Sequence, residues 1–365
     1  MTILSPPFLR KVREALRRSR FVRWLYFDMH LADLPIILGS STFKKQMDDA
    51  MTTFLSLQEL QSSDTRHRIR NDIRRCYYKY KATPQEYFLF GFKDKTAYER
   101  AAYLTDSTIM KSVANKTGRK IHDEELNNKY RFYQLNERFF HRKAMLVDNH
   151  TSFNDFYRFA IHIKKIIAKP NKAALGNGVC IFEVSDVEEA KRFFDEIRRK
   201  GQEWIVEEVI VQSEQMAQWN HSSVNTVRVT SFLHSNQVSI LCPFMRTGRK
   251  GSVVDNGGQG GIFASIEKTT GRICTDGMDE RGNEYVCHPD SKMTFKGWQI
   301  PHWNDLMSLT EEVHRNMSTH VYVGWDFALT ETGWVLIEGN WGEFICQQMT
   351  NKRGFKQEFM NYLNQ

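Results

Sequence analysis

Apolar positions change period several times along the chain, and each change marks a change of element. From 7 to 27 they recur at helical spacing, through Phe8, Val12 and Leu16 to Val22 and Leu25, with Arg10, Arg13, Arg17 and Arg20 on the other face. A charged helical stretch follows over 43–81. Residues 86–92, EYFLFGF, read as a short aromatic strand or turn, and 95–118 as a pair of helices ending at Gly118. Residues 131–149 carry Phe139, Phe140 and Leu146 on one helical face. Short apolar runs then take over. Residues 166–169 and 179–184 predict two strands around a Gly-containing loop (171–178), and 185–200 a helix with Ser185 or Asp186 as N-cap. EWIVEEVI (203–210) predicts an apolar strand ending in acids. The clearest hairpin spans 224–246: Val224, Thr226, Arg228 and Thr230 share one face, Val227, Val229 and Ser231 the other, and His234-Ser235-Asn236 supplies the turn. A glycine-rich stretch (251–262), a further hairpin and a helix after Pro301 lead to two final apolar strands within 322–343. Residues 355–363 predict a closing helix.

The last strand pair carries the sharpest chemistry. Its first strand holds one acid, Asp326, between Trp325 and Phe327; its second runs through Leu336-Ile337 into Glu338-Gly339-Asn340. Glu338 and Asn340 share a face, because side chains alternate along a strand. A loop spanning 330–334 pairs Leu329 with Val335 and sets Asp326 opposite Glu338; a loop one residue shorter turns Asp326 away. Two adjacent carboxylates repel, and a hard divalent cation such as Mg²⁺ removes the conflict. The bland alternative is two solvated acids and a turn Asn.

Composition narrows the setting. At 365 residues the chain can hold two or three sub-domains. Its six cysteines are scattered without a CxxC pair, which argues against a zinc site or disulfide framework and fits a reducing compartment. No apolar run reaches the ~20 residues that span a bilayer, and the N-terminus lacks a signal-peptide core, so a cytoplasmic location is expected. Residues 1–81 hold 16 Lys/Arg against 8 Asp/Glu, a surplus equal to the whole chain's formal charge of +8. The basic character therefore belongs to the N-terminal segment. The helix at 7–27 either packs its stripe on the domain or lies on anionic lipid, with Trp24 and Tyr26 at headgroup level, at the inner face of the membrane. Arg and Tyr interleave near 66–81, but no nucleic-acid motif accompanies them, and no nucleic-acid partner is expected.

The spacing D-x(11)-E-x-N on two neighbouring strands resembles the metal signature of ATP-grasp ligases. GWDFALTETGWVLIEGN, FLFGF with the ERxxYLT segment, and NTxR around Arg228 are similar to the sugar-transfer associated branch of that superfamily. The resemblance implies an α+β ATP-grasp fold, two α+β sub-domains gripping ATP, behind a mainly helical basic N-terminal region. It divides the chain as 1–85, 86–160, 161–210 and 211–365. It implies ATP and Mg²⁺, with Asp326, Glu338 and Asn340 on the metal. Lys169 would meet the α/β-phosphates, and the loop with Gly176 and Gly178 the β/γ-phosphates. Arg138 stands where the family often has a Lys. Glu207, Glu208, Val209 and Ile210 would line the adenine edge, and Glu214 the ribose. Arg228 and Arg246 would stabilise the moving phosphoryl group. Lys172-Ala173-Ala174 departs from the family's glycine-rich loop.

The expected activity is an ADP-forming carboxylate–amine ligase working through an acyl-phosphate, with a carboxylate substrate and an amine acceptor that the resemblance links to cell-surface polysaccharide. Two alternatives stay open: a phosphotransferase acting on a hydroxyl, and a nucleotide-binding module at the membrane surface. On the ligase reading, Asp326→Ala and Glu338→Ala are each expected to abolish ADP formation with the fold intact.

Overall fold

The computed structural model describes residues 41–118, 124–172, 178–249, 251–252, 255, 260–341 and 344–365. The helix expected over 7–27 and Gly176 lie outside them. The chain divides into two compact units, one up to Ala101 and one from Ala102 onward. Among the described residues no helix is long and apolar enough to cross a membrane.

The described part of the first unit is helical: α1 (Ser41–Phe54), α2 (Ser63–Tyr80) and α3 (Pro84–Leu89). Phe43, Met47 and Met51 of α1 and Ile69, Ile73 and Cys76 of α2 are buried, and Phe43 meets Tyr77 with ring centroids 4.8 Å apart. The strand or turn expected at 86–92 is instead the end of α3 and a short 3₁₀ turn (Phe92–Asp94). Thr83 and Glu86 form a capping box with Pro84 at the first helical position. That start signal overrides the β-preference of the aromatic residues behind it. Asp72 of α2 accepts from Tyr87 Oη and from both terminal nitrogens of Arg100, each at 2.9 Å.

The second unit opens with α4 (Asp106–Thr117), closed by Gly118 at φ +65° as expected. Next come α5 (Lys129–Phe140) and β1 (Ala144–Val147). The single helix expected over 131–149 therefore stops early. His141 turns the chain at φ +48°, and the alternating Ala-Met-Leu-Val run pairs antiparallel with a later strand. With α6 (Phe153–Ile163), β2 (Lys165–Pro170), β3 (Cys180–Glu183), α7 (Val187–Arg199) and β4 (Trp204–Glu208) it builds a small sheet of order β1-β4-β2-β3. Helix α7 is fixed at both ends. The Asp186 side chain accepts from Glu189 N at 2.8 Å, Glu188 and Glu189 sit in the first turn, and Arg198 and Arg199 in the last. Its stripe of Ala190, Phe193, Phe194 and Ile197 joins Phe156 and Ala160 of α6 over Ile166, Ala168, Trp204 and Val206 of the sheet. The alternate residues of β2 and β4, among them Lys169, Ile205 and Glu207, therefore occupy the other face. Ile205 there belongs to the hydrophobic core of the large sheet.

The large sheet is antiparallel, in the order β11-β10-β5-β6-β7-β8-β9: β5 (Thr226–His234), β6 (Gln237–Thr247), β7 (Ile262–Ser265), β8 (Gly277–Asp279), β9 (Glu284–Tyr285), β10 (Tyr322–Thr330) and β11 (Gly333–Asn340). The β5–β6 turn falls on Ser235-Asn236, both at positive φ, as a two-residue hairpin requires. Helix α8 (Trp303–Asn316) lays Leu306 and Val313 into the same core as Val227, Val229, Trp325, Phe327 and Leu336. Helices α9 (Ile345–Thr350) and α10 (Lys356–Leu363) end the chain.

A polar chain runs through this core. Trp325 Nε1 donates to Ser231 Oγ at 2.7 Å, Ser231 Oγ lies 2.7 Å from His314 Nδ1, and His314 Nε2 donates to the His320 carbonyl at 2.9 Å. Burial lowers His314 from 6.5 to about 4. The unfolded chain therefore binds the extra proton first, and stability falls as pH drops from 6.5 towards 4. About 3 kcal/mol is expected over that window. Urea unfolding at stepped pH checks it, and the slope should shrink in His314→Gln.

Candidate active site

A row of side chains crosses the large sheet. Glu338 on β11 pairs with Asp326 on β10, which pairs with Arg228 on β5, which pairs with Phe244 on β6. The expected pairing of Asp326 with Glu338 is present, but it arises differently. The hairpin is tighter than the five-residue loop expected: Leu329 meets Trp334 and Thr330 meets Gly333, with Gly333 at φ +125°. That register alone would set Asp326 opposite Ile337, one residue short of Glu338. A bulge restores it: Phe327 pairs with Leu336 and Asp326 with Glu338, leaving Ile337 as the extra residue. A second register shift lies between Arg228 and Thr230 on the β6 side. Gly339 completes the local geometry from the opposite face. A Cβ there would stand 2.7 Å from the Phe132 ring and 3.1 Å from the Trp325 ring, so the backbone between Glu338 and Asn340 is pressed against two aromatic residues. Gly339→Ala is expected to cost about 1–3 kcal/mol by overpacking, which denaturant melts would measure.

Asp326 is fully buried and is met by two cations. Arg228 donates from Nε to Oδ1 at 2.6 Å and from Nη2 to Oδ2 at 2.7 Å; Arg246 reaches Oδ2 from Nη2 at 2.9 Å. Burial pushes the Asp326 carboxyl up, and the two arginines more than offset it, holding it at about 2. Arg246 also donates to Thr226 Oγ1 at 3.0 Å and stands 3.5 Å from Asp255, a buried residue of the glycine-rich stretch that itself accepts from Thr226. Positive charge that makes this acid tolerable is thus supplied by the protein's own arginines, besides any cation the site takes up.

Among the described residues Glu338 has no such guanidinium fork. Burial, then the charge of Asp326, push its carboxyl above the usual range, while Lys129, Lys169 and Arg228 pull the other way. Asn340 follows two residues along on the same strand. Two carboxylates and an amide oxygen are hard donors of the kind Mg²⁺ selects. Glu338 is the member whose carboxyl burial and the Asp326 charge push up, and Asp326 Oδ1, which accepts from Arg228 Nε, keeps a second acceptor position. The donor set fits a magnesium ion held mainly from the Glu338 side.

Facing this row stands a second charged group on the small sheet. Lys169 Nζ donates to Glu207 Oε1 at 2.9 Å, a diagonal contact across β2 and β4. Arg142 takes Glu207 Oε2 from Nε and Nη2, at 2.9 and 2.7 Å. Burial raises Glu207, and Lys169 and Arg142 outweigh it, holding it at about 2. Both oxygens of Glu207, expected on an adenine edge, are committed to internal cations. Lys129 completes the group electrostatically: burial lowers its pKa, and Glu338, Lys169 and Glu207 are the charges it feels. It is carried there because α5 begins against Asn171, whose carbonyl accepts from Lys129 N (3.1 Å) and whose Oδ1 accepts from Tyr130 N (2.8 Å).

The remaining expected residues separate. Glu208 is exposed and Val209 and Ile210 half-buried at the end of β4. Glu214 is exposed, and its N–H donates to Glu331 at the β10–β11 turn. Gly178, at φ +80°, lies against Pro170 and Trp204. Arg138 is not brought to the charged cluster. It is exposed at the far end of α5 from Lys129, ~14 Å along the helix axis, over the Phe139 ring and 3.5 Å from Asn316. Sequence reasoning missed Lys129, Arg142 and Asp255. A lysine at the first position of a helix opposes the dipole, and that mismatch was the available signal for Lys129.

A family model, described as sugar-transfer associated ATP-grasp, matches residues 113–364. The chain belongs to this ATP-grasp family. No curated protein matches it. Solved structures of related shape include D-alanyl-alanine synthetase A from Vibrio cholerae O1 biovar eltor str. N16961, at 12% identity over 66% of this chain and 65% of that one, with a TM-score of 0.41. D-alanine–D-alanine ligase from Bacillus anthracis, complexed with ATP, gives 10%, 66%, 65% and 0.40. An ADP complex of N5-carboxyaminoimidazole ribonucleotide synthetase gives 10%, 66%, 52% and 0.42. The match thus spans less than two thirds of these relatives, and likeness at this level carries no inference about substrate. Family membership accounts for the mixed α+β architecture with two sheets and a helical first unit. The ATP-grasp sheets place Lys169 and Glu338 within each other's electrostatic reach.

Proposed function

We propose that this ATP-grasp protein is an ATP-dependent carboxylate–amine ligase that joins its substrates through an acyl-phosphate, in the making of a cell-surface polysaccharide or glycoconjugate. The observation that carries the reading is the Glu338–Asp326–Arg228 row facing the Lys129–Lys169 pair: cations and oxygen donors converge as transfer of a phosphoryl group demands. On this reading the small sheet is the nucleotide-side jaw and the large sheet the metal-side jaw, and β1 (Ala144–Val147), expected in the 86–160 sub-domain, belongs to the small sheet.

Lys169 and Lys129 hold the inner phosphates, with Lys129 in the part first given to Arg138. Glu338, Asp326 and Asn340 hold magnesium, which when bound would spread the charge of the transferring group. Arg228 and Arg246 face the oxygens that gain charge. A substrate carboxylate oxygen attacks the γ-phosphorus, the bond to the bridging oxygen breaks, and ADP leaves. The amine nitrogen then attacks the acyl carbon, inorganic phosphate departs, and one amine proton is lost to solvent.

Incubation with ATP, Mg²⁺, a panel of uronic and amino acids, and hydroxylamine tests this. A hydroxamate formed with ADP supports the acyl-phosphate. A phosphorylated hydroxyl product without hydroxamate replaces the ligase with a kinase, and absence of ADP under every acceptor rejects both.

A further inference from the structure

Arg142 lies in the link between α5 and β1, outside every motif the sequence offers. Its side chain is only 4% exposed. Burying a guanidinium is unfavourable unless its donors are used, and here they are. Nε and Nη2 donate to Glu207 Oε2 (2.9 and 2.7 Å), and Nη1 donates to the carbonyls of Phe140 (3.1 Å) and Leu336 (2.7 Å). The guanidinium also sits over the Phe140 ring, 4.4 Å from its centroid. One side chain thus ties together β4, the end of α5 and β11. On β11 it grips the residue just before the Ile337 bulge that sets Glu338 opposite Asp326.

Charge makes the arrangement functional. Glu207 is one anion shared by two cations, Arg142 on Oε2 and Lys169 on Oε1. With Arg142 present the trio keeps a net charge of one positive unit, and Lys169, 16% exposed against 3% for Glu207, is the member nearer the surface. Without Arg142, Lys169 would be the cation left in direct contact with a buried carboxylate and would have less charge to offer a phosphate. We propose that Arg142 is a positioning residue: it takes up the Glu207 charge so that Lys169 stays available to a nucleotide phosphate, and it anchors the β11 bulge beside Glu338. This rests on the nucleotide role assigned above to Lys169 and Glu338.

The test is calorimetric titration of the full chain with ADP and Mg²⁺, with thermal melts run alongside. Arg142→Met is expected to weaken ADP binding about 10–100-fold, and Arg142→Lys, which cannot serve Glu207 and Leu336 together, about 10-fold. The double variant Arg142→Met/Glu207→Gln is expected to regain most of the loss, because Lys169 is then released without a guanidinium. A purely structural role predicts the reverse, with the double variant no tighter than the single. Wild-type affinity in Arg142→Lys and Arg142→Met overturns the inference, as does a double variant that recovers nothing. If Arg142→Met does not fold, Arg142→Lys decides alone, and unchanged affinity there overturns it. A wild-type chain that binds no ADP sinks the nucleotide reading itself, an outcome separate from wild-type binding that the variants leave unaltered.

Discussion

Asp326→Ala is expected to destabilise the second unit by about 3–5 kcal/mol, because it strips the shared anion from two buried guanidinium groups. Arg228 and Arg246 both bond to Asp326, and their side chains are only 10% and 11% exposed. Arg246 would keep Asp255 at 3.5 Å, whereas Arg228 would lose the bidentate partner directly across the strand pair. Denaturant unfolding should show a lower midpoint with an unchanged slope, and Asp326→Asn, which keeps the shape without the charge, should fall between wild type and Ala. An unfolding curve for Asp326→Ala that overlays the wild type would show that the arginines find other partners, and that the ion cluster contributes nothing to stability. The expectation from sequence was the opposite, a dead enzyme with an intact fold. A role for Asp326 as metal ligand alone leaves out the two strand-borne arginines that converge on it. Loss of activity in Asp326→Ala therefore cannot be assigned to the metal without the accompanying melt.

How much was legible follows the reach of each signal. Local patterns carried the strands and their faces: alternation in 224–246 put Thr226 and Arg228 on one side, and the glycine at 333 marked the last hairpin. They failed where a local rule competed with another. Aromatic β-preference at 86–92 lost to a capping box, and the helical pattern of 131–149 ran through a left-handed His141 that no periodicity reveals. At the site, the Asp326–Glu338 pairing was read correctly from a loop length that proved wrong, because an error of one residue in the turn was cancelled by one extra residue at Ile337. Bulges depend on what packs behind the strand, here the Phe132 and Trp325 rings against Gly339, and that is information from elsewhere in the chain. Lys129 and Arg142 were invisible for the same reason. Each is positioned by a partner far away in sequence, Asn171 for the first and Glu207 with Leu336 for the second. Arg138 stands at the position where the resemblance expects a Lys, but the helix turns it outward, over Phe139 and towards Asn316.

Glu338→Gln is the cleaner probe of chemistry and is expected to lower ADP formation by about 10³-fold while leaving the melt close to wild type. The fold should tolerate it because burial and the Asp326 charge already press this carboxyl towards its neutral form, which Gln imitates in shape. The chemistry should not, since an amide is a weak ligand for a hard cation, and the carboxylate lost is the one of the Asp326–Glu338 pair that no arginine bonds among the described residues. Magnesium chelation gives the second readout. In the wild type, removing Mg²⁺ should weaken ADP binding; in Glu338→Gln the affinity with and without chelator should coincide, because the ion's main holder is gone. Wild-type ADP formation in this variant would remove Glu338 from the metal site and leave the ion to Asn340 and to Asp326, whose carboxylate is already shared with two arginines. Intact magnesium dependence with slow turnover would instead point to a role in orienting the attacking substrate, since the ion would then be held without Glu338.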